Sequence, residues 1–331
     1  MKKLQRHSMD PLISIIVPIY NRESYVEQLI NTVVNQTYKN WELLLIDDNS
    51  SDRTASNIAL FAENDPRIKC IKNKHAKGAS GARNTGLDIA SGDYIAYQDS
   101  DDEWIHEHLA TMVYYLEKYP NKIDLMSANP LRKNRSSGKV YSYDEIDLRS
   151  MTTEKLENAY VFDSKKTFEF QLFGRIITTQ CIVAKREKIK TLRWNENLKA
   201  ATDNLYNLNI AYDQVKIGHL QEYHSVYWAH NDNITNCGGN HDNVRMEAVQ
   251  KNFIEYWRIV LREFKLTKYQ KAFAKKNLSE TLAWHYAYGT LEPQGKYAEC
   301  IPVYLEAFLL YPQNYRTLSS FFKSILKTMF K

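Results

Sequence analysis

A chain of 331 residues with 44% hydrophobic and 25% charged side chains has the composition of an ordinary folded protein, long enough for one large domain and a smaller one, and general disorder is excluded. A net charge of +5 invites a nucleic-acid partner, but the basic residues are scattered, the amino-terminal half carries dense acidic clusters and no nucleic-acid-binding signature is present, so no nucleic acid is expected. Cys70, Cys181, Cys237 and Cys300 lie far apart without a C-x-x-C pair, and no run approaches the roughly 20 apolar residues of a membrane span, so a reducing cytoplasm is expected rather than secretion or bilayer insertion.

The first hundred residues alternate strand and helix patterns, as expected of parallel strands with helices on both faces. Leu12 to Val17 is a buried strand ended by Pro18, and Val26, Leu29, Ile30, Val33 and Val34 give a helix between Ser24 and Gln36 the apolar stripe that packs on it. A second strand, Trp41 to Ile46, runs into Asp47-Asp48-Asn49-Ser50. A helix follows from Asp52 to Phe61, then a short strand from Ile68 to Ile71, a glycine-containing loop from Lys77 to Gly81 and a helix from Ala82 to Ala90. The apolar run Tyr94-Ile95-Ala96-Tyr97 then delivers Asp99-Ser100-Asp101-Asp102. Beyond Trp104 come a helix from His108 to Tyr119, a polar region through Ser137 and a mixed segment to His230; from Val244 the pattern is helical, with a boundary near Gly238-Gly239-Asn240.

Three carboxylates where a hydrophobic strand leaves the core suit a hard divalent cation, which takes one or two protein oxygens and completes its shell with water and phosphates. Taken alone, the triplet reads more readily as a solvated loop than as a metal handle. Tyr20-Asn21, Asp47-Asp48 and Asp99 to Asp102 each follow a different strand, however, and in an open α/β sheet ligands bind outside the carboxyl ends of the strands. All three groups should therefore meet in one cleft.

These residues also occur as ordered text. Ser-Ile-Ile-Val-Pro-Ile-Tyr-Asn-Arg from Ser14, Val-Val-Asn-Gln-Thr-Tyr from Val33, Trp-Glu-Leu-Leu-Leu-Ile-Asp-Asp-Asn-Ser from Trp41, Gly-Ala-Ser-Gly-Ala-Arg-Asn-Thr-Gly from Gly78 and Asp-Ser-Asp-Asp-Glu-Trp from Asp99 resemble the family 2 glycosyltransferases, an inverting group with the GT-A fold. Trp194-Asn195-Glu196-Asn197-Leu198 followed by Ala201-Thr202-Asp203 is similar to the segment leading into that family's acidic pair. Tyr227 to Thr235, around His230, is similar to its carboxyl-terminal histidine block. Thr202 stands where the family usually has Glu, while the second carboxylate, Asp203, is retained.

The resemblance implies an α/β GT-A fold, Rossmann-like, with a carboxyl-terminal helical extension: a glycosyltransferase domain over residues 11–237, divided into a nucleotide-binding half at 11–104 and an acceptor half at 105–237, and a helical region at 241–331. It implies transfer from a UDP-sugar donor, with Mn²⁺ or Mg²⁺, to a glycan or lipid-linked acceptor in bacterial surface-polysaccharide synthesis; such a donor also accounts for a mild positive charge. Asp48 would accept the imino N–H of the base, with a helix-starting turn as its alternative. Pro18 and Tyr20 would line the nucleoside pocket, and Arg83 would reach the nucleotide or diphosphate. Asp99 would bind ribose or metal-bound water, and Asp101 would ligate the metal, joined by His230 unless that histidine is merely packed. Asp102 is a candidate cap for the next helix. Asp203 is the expected base, its alternative a solvated helix aspartate. The competing function is a sugar-nucleotide-binding or scaffolding subunit with impaired catalysis, suggested by Thr202.

The tail carries a faint tetratricopeptide-like pattern over Ala287, Tyr288, Gly289, Tyr297, Ala298, Tyr304, Ala307, Leu310, Pro312 and Asn314, one unit rather than an array. Leu318, Phe321, Phe322, Ile325, Leu326, Met329 and Phe330 form an apolar stripe opposite Lys323, Lys327 and Lys331. Three roles stay open for this stripe: core packing, a homo-oligomer contact, or peripheral contact with the anionic inner face of the plasma membrane.

Overall fold

The computed structural model describes residues 10–141, 148, 151–174, 176–229 and 243–330. These fall into two compact units, one within Met1–Asn197 and Thr202–His230, the other within Leu198–Ala201 and Asn231–Lys331. The expected boundary at 237–241 lies outside the described residues.

The first unit opens with β1 (Ile13–Ile19), α1 (Val26–Val34), β2 (Trp41–Asp47), α2 (Thr54–Asn64), β3 (Ile68–Lys72), α3 (Ala79–Ile89) and β4 (Tyr94–Tyr97). It continues through β5 (Glu103–Trp104), α4 (His108–Lys118), β6 (Leu125–Asn134), β7 (Val140–Tyr141), β8 (Thr152–Leu156), β9 (Ala159–Phe162), α5 (Thr167–Gly174), β10 (Val183–Lys185), α6 (Arg186–Ile189), α7 (Thr202–Tyr212) and β11 (Ile217–Ala229). One sheet holds the strands in the order β3-β2-β1-β4-β10-β6-β11-β9-β8, with β5 beside β11 and β7 beside β6. β1 to β4 pair in parallel, and β10 is antiparallel to both its neighbours.

Because helices cover both faces, β1 and β2 carry apolar side chains on both faces rather than at alternate positions only, with Ser14, Glu42 and Asp47 as the polar exceptions. Ile13, Ile15, Val17 and Ile19 join α1 and α4 side chains in one core, while Ile16 with Leu44 and Ile46 joins Ala82 and Leu87 of α3 in the other. A side chain at Gly86 would bring a Cβ within 2.4 Å of Ile16 Cγ2, so the glycine lets α3 lie tight on β1.

Three local expectations need correction. β1 runs through Pro18 to Ile19, paired with Ile46 and Asp47 on one side. Its pairing with β4 stops at Ile16 and Tyr97, so Pro18 sits where one side of the strand is already open and the missing N–H is harmless. Helix α3 begins at Ala79 rather than Ala82, with Gly78 before it at φ 124°. Gly81 lies inside its first turn because any Cβ there would stand 1.9 Å from the Ala76 carbonyl oxygen. The polar stretch before Ser137 contains β6, a ten-residue strand parallel to β11, whose second half is only partly buried and therefore carries polar side chains.

The second unit is helical: α8 (Asn243–Glu263), α9 (Lys268–Glu280), a π-helical stretch Thr281–Leu291, α10 (Tyr297–Leu310) and α11 (Tyr315–Met329). Thr267 starts α9 with a reciprocal capping box to Gln270. Ala287, Tyr304 and Ala307 are buried, Ser279 Oγ donates to the Ala307 carbonyl at 2.7 Å, and Cys300 Sγ donates to the Ala287 carbonyl at 3.7 Å. In α11 Thr317 and Ser324 are buried and Leu318, Phe321 and Ile325 of the apolar stripe are half-buried, whereas Phe322, Leu326 and Met329 are exposed, as is Phe330 just beyond it, so packing covers one part of the stripe and leaves the other part open.

Candidate active site

Four strand ends build the cleft floor. After β1, Asn21 takes a left-handed turn (φ 49°), its side-chain oxygen accepts from Ser51 N at 2.8 Å and its N–H donates to Ser50 Oγ at 3.0 Å, which ties the β1 and β2 ends together. Asp47 closes its own turn by accepting from Ser50 N at 3.1 Å. Asp48 faces the other way: it is 5% exposed and accepts from Asn73 Nδ2 at 2.7 Å and Gly78 N at 2.8 Å. It is held by the turn after β3, not spent on a helix cap. Tyr20 is 43% exposed, with Lys77 Nζ 4.8 Å from its ring centre, and Pro18 is half-buried behind it.

The β4 end carries the acidic loop. Arg83 on α3 is buried; its Nη2 donates to Asp99 Oδ1 at 2.6 Å and its Nη1 lies 3.6 Å from Asp203 Oδ1. The guanidinium stacks 4.3 Å over Trp194, which stacks in turn on Tyr206 at 4.0 Å, and the Tyr206 hydroxyl meets that of Tyr97 at 2.8 Å. A guanidinium fixed by an aromatic platform can thus join the acidic loop to the first turn of α7. Asp203 itself is half-exposed.

Burial is the largest influence on Asp99 and pushes its carboxyl up to about 6; the Arg83 charge opposes this, and Asp203 and Asp101 reinforce it. Asp101 lies 3.6 Å from Arg22 Nη2, and its carbonyl accepts from Arg135 Nη2 at 2.8 Å. Asp102 does not cap a helix. It is 2% exposed and accepts from Trp228 N on β11 at 3.1 Å, while the first turn of α4 is capped by Gln36 Oε1, which accepts from Leu109 N at 3.0 Å. The second Asp102 oxygen is buried without a hydrogen-bond partner among the described residues, and burial, then the Asp99 and Asp101 charges, raise this carboxyl well above its ordinary value.

Among the described residues, no group of three or more His, Cys, Asp and Glu side chains forms a cage for a metal ion, and His230 lies outside them. The oxygen donors at Asp99 and Asp101, with a bare buried oxygen behind them at Asp102, fit a hard cation that takes one or two carboxylates and fills its shell from a diphosphate. The structure thus brings Arg83, Asp99 and Asp203 together, with Asp101 on the same loop, and sets Asp48, Pro18 and Tyr20 on neighbouring strand ends. Sequence reasoning missed Arg22 and Arg135 as partners of the acidic loop. Arg22 directly follows Tyr20-Asn21 and was within reach of a strand-end argument, whereas Arg135 sits in a polar stretch with no signal.

The architecture recurs among solved structures of the GT-A fold. S. aureus TarS 1-349 in complex with UDP-GlcNAc superposes with a TM-score of 0.60 at 17% identity, over 94% of this chain and 88% of that one. A Pyrobaculum calidifontis mannosyltransferase in complex with GDP-Man and Mn²⁺ gives 0.55 at 17% identity, over 98% and 87%. The family model "Glycosyl transferase family 2" matches residues 14–193, and the chain belongs to that family. An Escherichia coli relative, "UDP-Glc:alpha-D-GlcNAc-diphosphoundecaprenol beta-1,3-glucosyltransferase WfgD", is 48% identical over 120 residues, which are 36% of this chain and 46% of that protein. The chain thus spans about half the length of this curated relative.

Proposed function

We propose that this protein is an inverting glycosyltransferase that moves a sugar from a UDP-sugar to a hydroxyl of a glycan or lipid-linked acceptor in surface-polysaccharide synthesis. The observation that carries the reading is Arg83, buried on its aromatic platform and joining Asp99 to Asp203. Asp48 accepts the imino N–H of uracil and Tyr20 offers its face to the base. Asp99 accepts from the ribose. Arg83 holds the acidic loop against α7 and stands ready for the diphosphate with its fixed guanidinium. Asp203 Oδ takes the acceptor proton as that oxygen attacks the anomeric carbon from the side opposite the nucleotide, so one displacement inverts the configuration. Asp101, with His230, would hold Mn²⁺ or Mg²⁺, which supplies Lewis-acid neutralisation of the departing diphosphate. A lipid-linked acceptor agrees with the diphosphoundecaprenol named for the E. coli relative. It also suits α11, which carries Arg316, Lys323 and Lys327, no carboxylate, and exposed Phe322, Leu326 and Met329 for an anionic leaflet.

Calorimetric titration of the purified protein with UDP, GDP and CDP, each with and without Mn²⁺, tests the donor class. UDP binding that requires Mn²⁺ and disappears in Asp101→Ala is the expected result. Binding by none of the three, in a folded protein, overturns it. Thr202 in place of a carboxylate favours the second reading, an impaired subunit, and turnover by the purified chain alone excludes that.

A further inference from the structure

The turn 73–78 between β3 and α3 supplies both N–H groups that hold Asp48, and side chains from elsewhere fix that turn. Asn73 Oδ1 accepts from His75 N at 3.0 Å and from Thr85 Oγ1 at 2.8 Å, and Glu196 Oε2 accepts from Ala76 N at 3.0 Å. The His75 ring lies between two carboxylates: Nε2 is 2.8 Å from Asp88 Oδ2 on α3, and Nδ1 is 2.9 Å from Glu196 Oε1, on the segment leading to α7. Glu196 is itself anchored by Asn84 Nδ2 at 2.7 Å.

We propose that His75 is a positioning residue for the nucleoside pocket: its ring, anchored at both nitrogens, clamps the 73–78 turn so that Asn73 and Gly78 hold the Asp48 carboxylate toward the base. The proposal rests on the reading of Asp48 as the nucleobase acceptor. Only the imidazolium has N–H donors at both nitrogens; a neutral ring would turn a lone pair toward one carboxylate. The hydrogen bond to Asp88 is the largest influence and raises the His75 pKa, burial opposes it, and the Glu196 and Asp88 charges add to it. Arg193 Nη2 stands 3.1 Å from Asp88 Oδ1, and Lys74 and Lys77 are the charged chain neighbours. A folded-state pKa raised above 6.5 means that the clamp is complete on the acid side and is lost as pH rises through the raised value.

The test uses the full chain and its His75→Gln and His75→Arg variants, titrated with UDP at about pH 6.5 and about pH 9, with amide-exchange protection of Ala76 and Gly78 measured in parallel. Wild type should bind UDP roughly tenfold more weakly at the higher pH, and His75→Gln should be that weak at both, the loss of one charge-assisted hydrogen bond. His75→Arg, whose fork donates to two carboxylates and stays charged, should bind tightly at both. Wild-type affinity and pH response in His75→Gln overturn the proposal, as does equal weakening in both variants, which would mark the ring's shape rather than its charge. If wild type binds no UDP at any pH, the donor reading fails instead, and the clamp is judged by exchange: lost protection of Ala76 and Gly78 in His75→Gln supports it, and unchanged protection overturns it.

Discussion

The two ends of the central strands treat buried carboxylates in opposite ways. At the amino end, Glu42 on β2 is 5% exposed and fully engaged: Oε1 accepts from Ser14 Oγ at 2.6 Å, Ser91 N at 2.9 Å and Ser91 Oγ at 2.7 Å, and Oε2 accepts from Lys69 Nζ at 2.8 Å. Ser14 Oγ also accepts from Gly92 N at 2.8 Å, so one residue ties β1, β2, β3 and the entry to β4. Burial alone would raise this carboxyl, but the bonds from Lys69, Ser14 and Ser91 outweigh it and hold it down at about 2. At the carboxyl end the same sheet gathers Asp99, Asp101 and Asp102, one Asp102 oxygen is buried without a hydrogen-bond partner among the described residues, and burial pushes Asp99 and Asp102 up. A satisfied charge anchors strands, whereas buried carboxyls that burial raises are held in place by the rest of the fold.

The sharpest way to break this contrast is at Asp203. Asp203→Asn should lower turnover by about 10³-fold, about 4 kcal/mol in the barrier, while UDP affinity and the melting temperature hold. A loss under tenfold in steady-state assays would return Asp203 to the solvated surface. The converse variant is Glu42→Gln, which turns an amide N–H₂ toward donors and should cost about 2 kcal/mol in urea unfolding, with activity per folded molecule unchanged. The same residue sets a pH signature. Its folded pKa, about 2, lies below the ordinary 4.5, so its contribution is present above about 4.5 and is lost as pH falls toward 2; denaturation followed over that window should show an acid limb that Glu42→Gln flattens. The smallest effect is expected at Asp102→Asn, where removing a buried charge with one bare oxygen should leave the metal-free protein as stable or up to about 1 kcal/mol more stable. A large loss of stability there would mean that the carboxyl end is anchored like the amino end.

Apolar runs, loop chemistry and motif order were readable from the residues alone because they are local. Ile13 to Val17 and Trp41 to Ile46 can hardly be anything but strands buried on both faces, and Tyr20, Asp48 and Asp99 fall at strand ends by counting. Partner choice was not readable. Nothing in the neighbourhood of Asp102 says that Trp228, 126 positions away, will take its hydrogen bond, and nothing near Glu42 says that Ser14, Ser91 and Lys69 will converge on it.

Sequence by itself therefore determined the family, the alternation of the first hundred residues and the list of carboxylates, since periodicity and residue chemistry are properties of short stretches. Tertiary structure decided how the carboxylates are partnered: Arg83 between Asp99 and Asp203, His75 between Asp88 and Glu196, and one Asp102 oxygen without a partner among the described residues. Burial and hydrogen bonding depend on what the fold brings within about 3 Å, and that distance is not written along the chain.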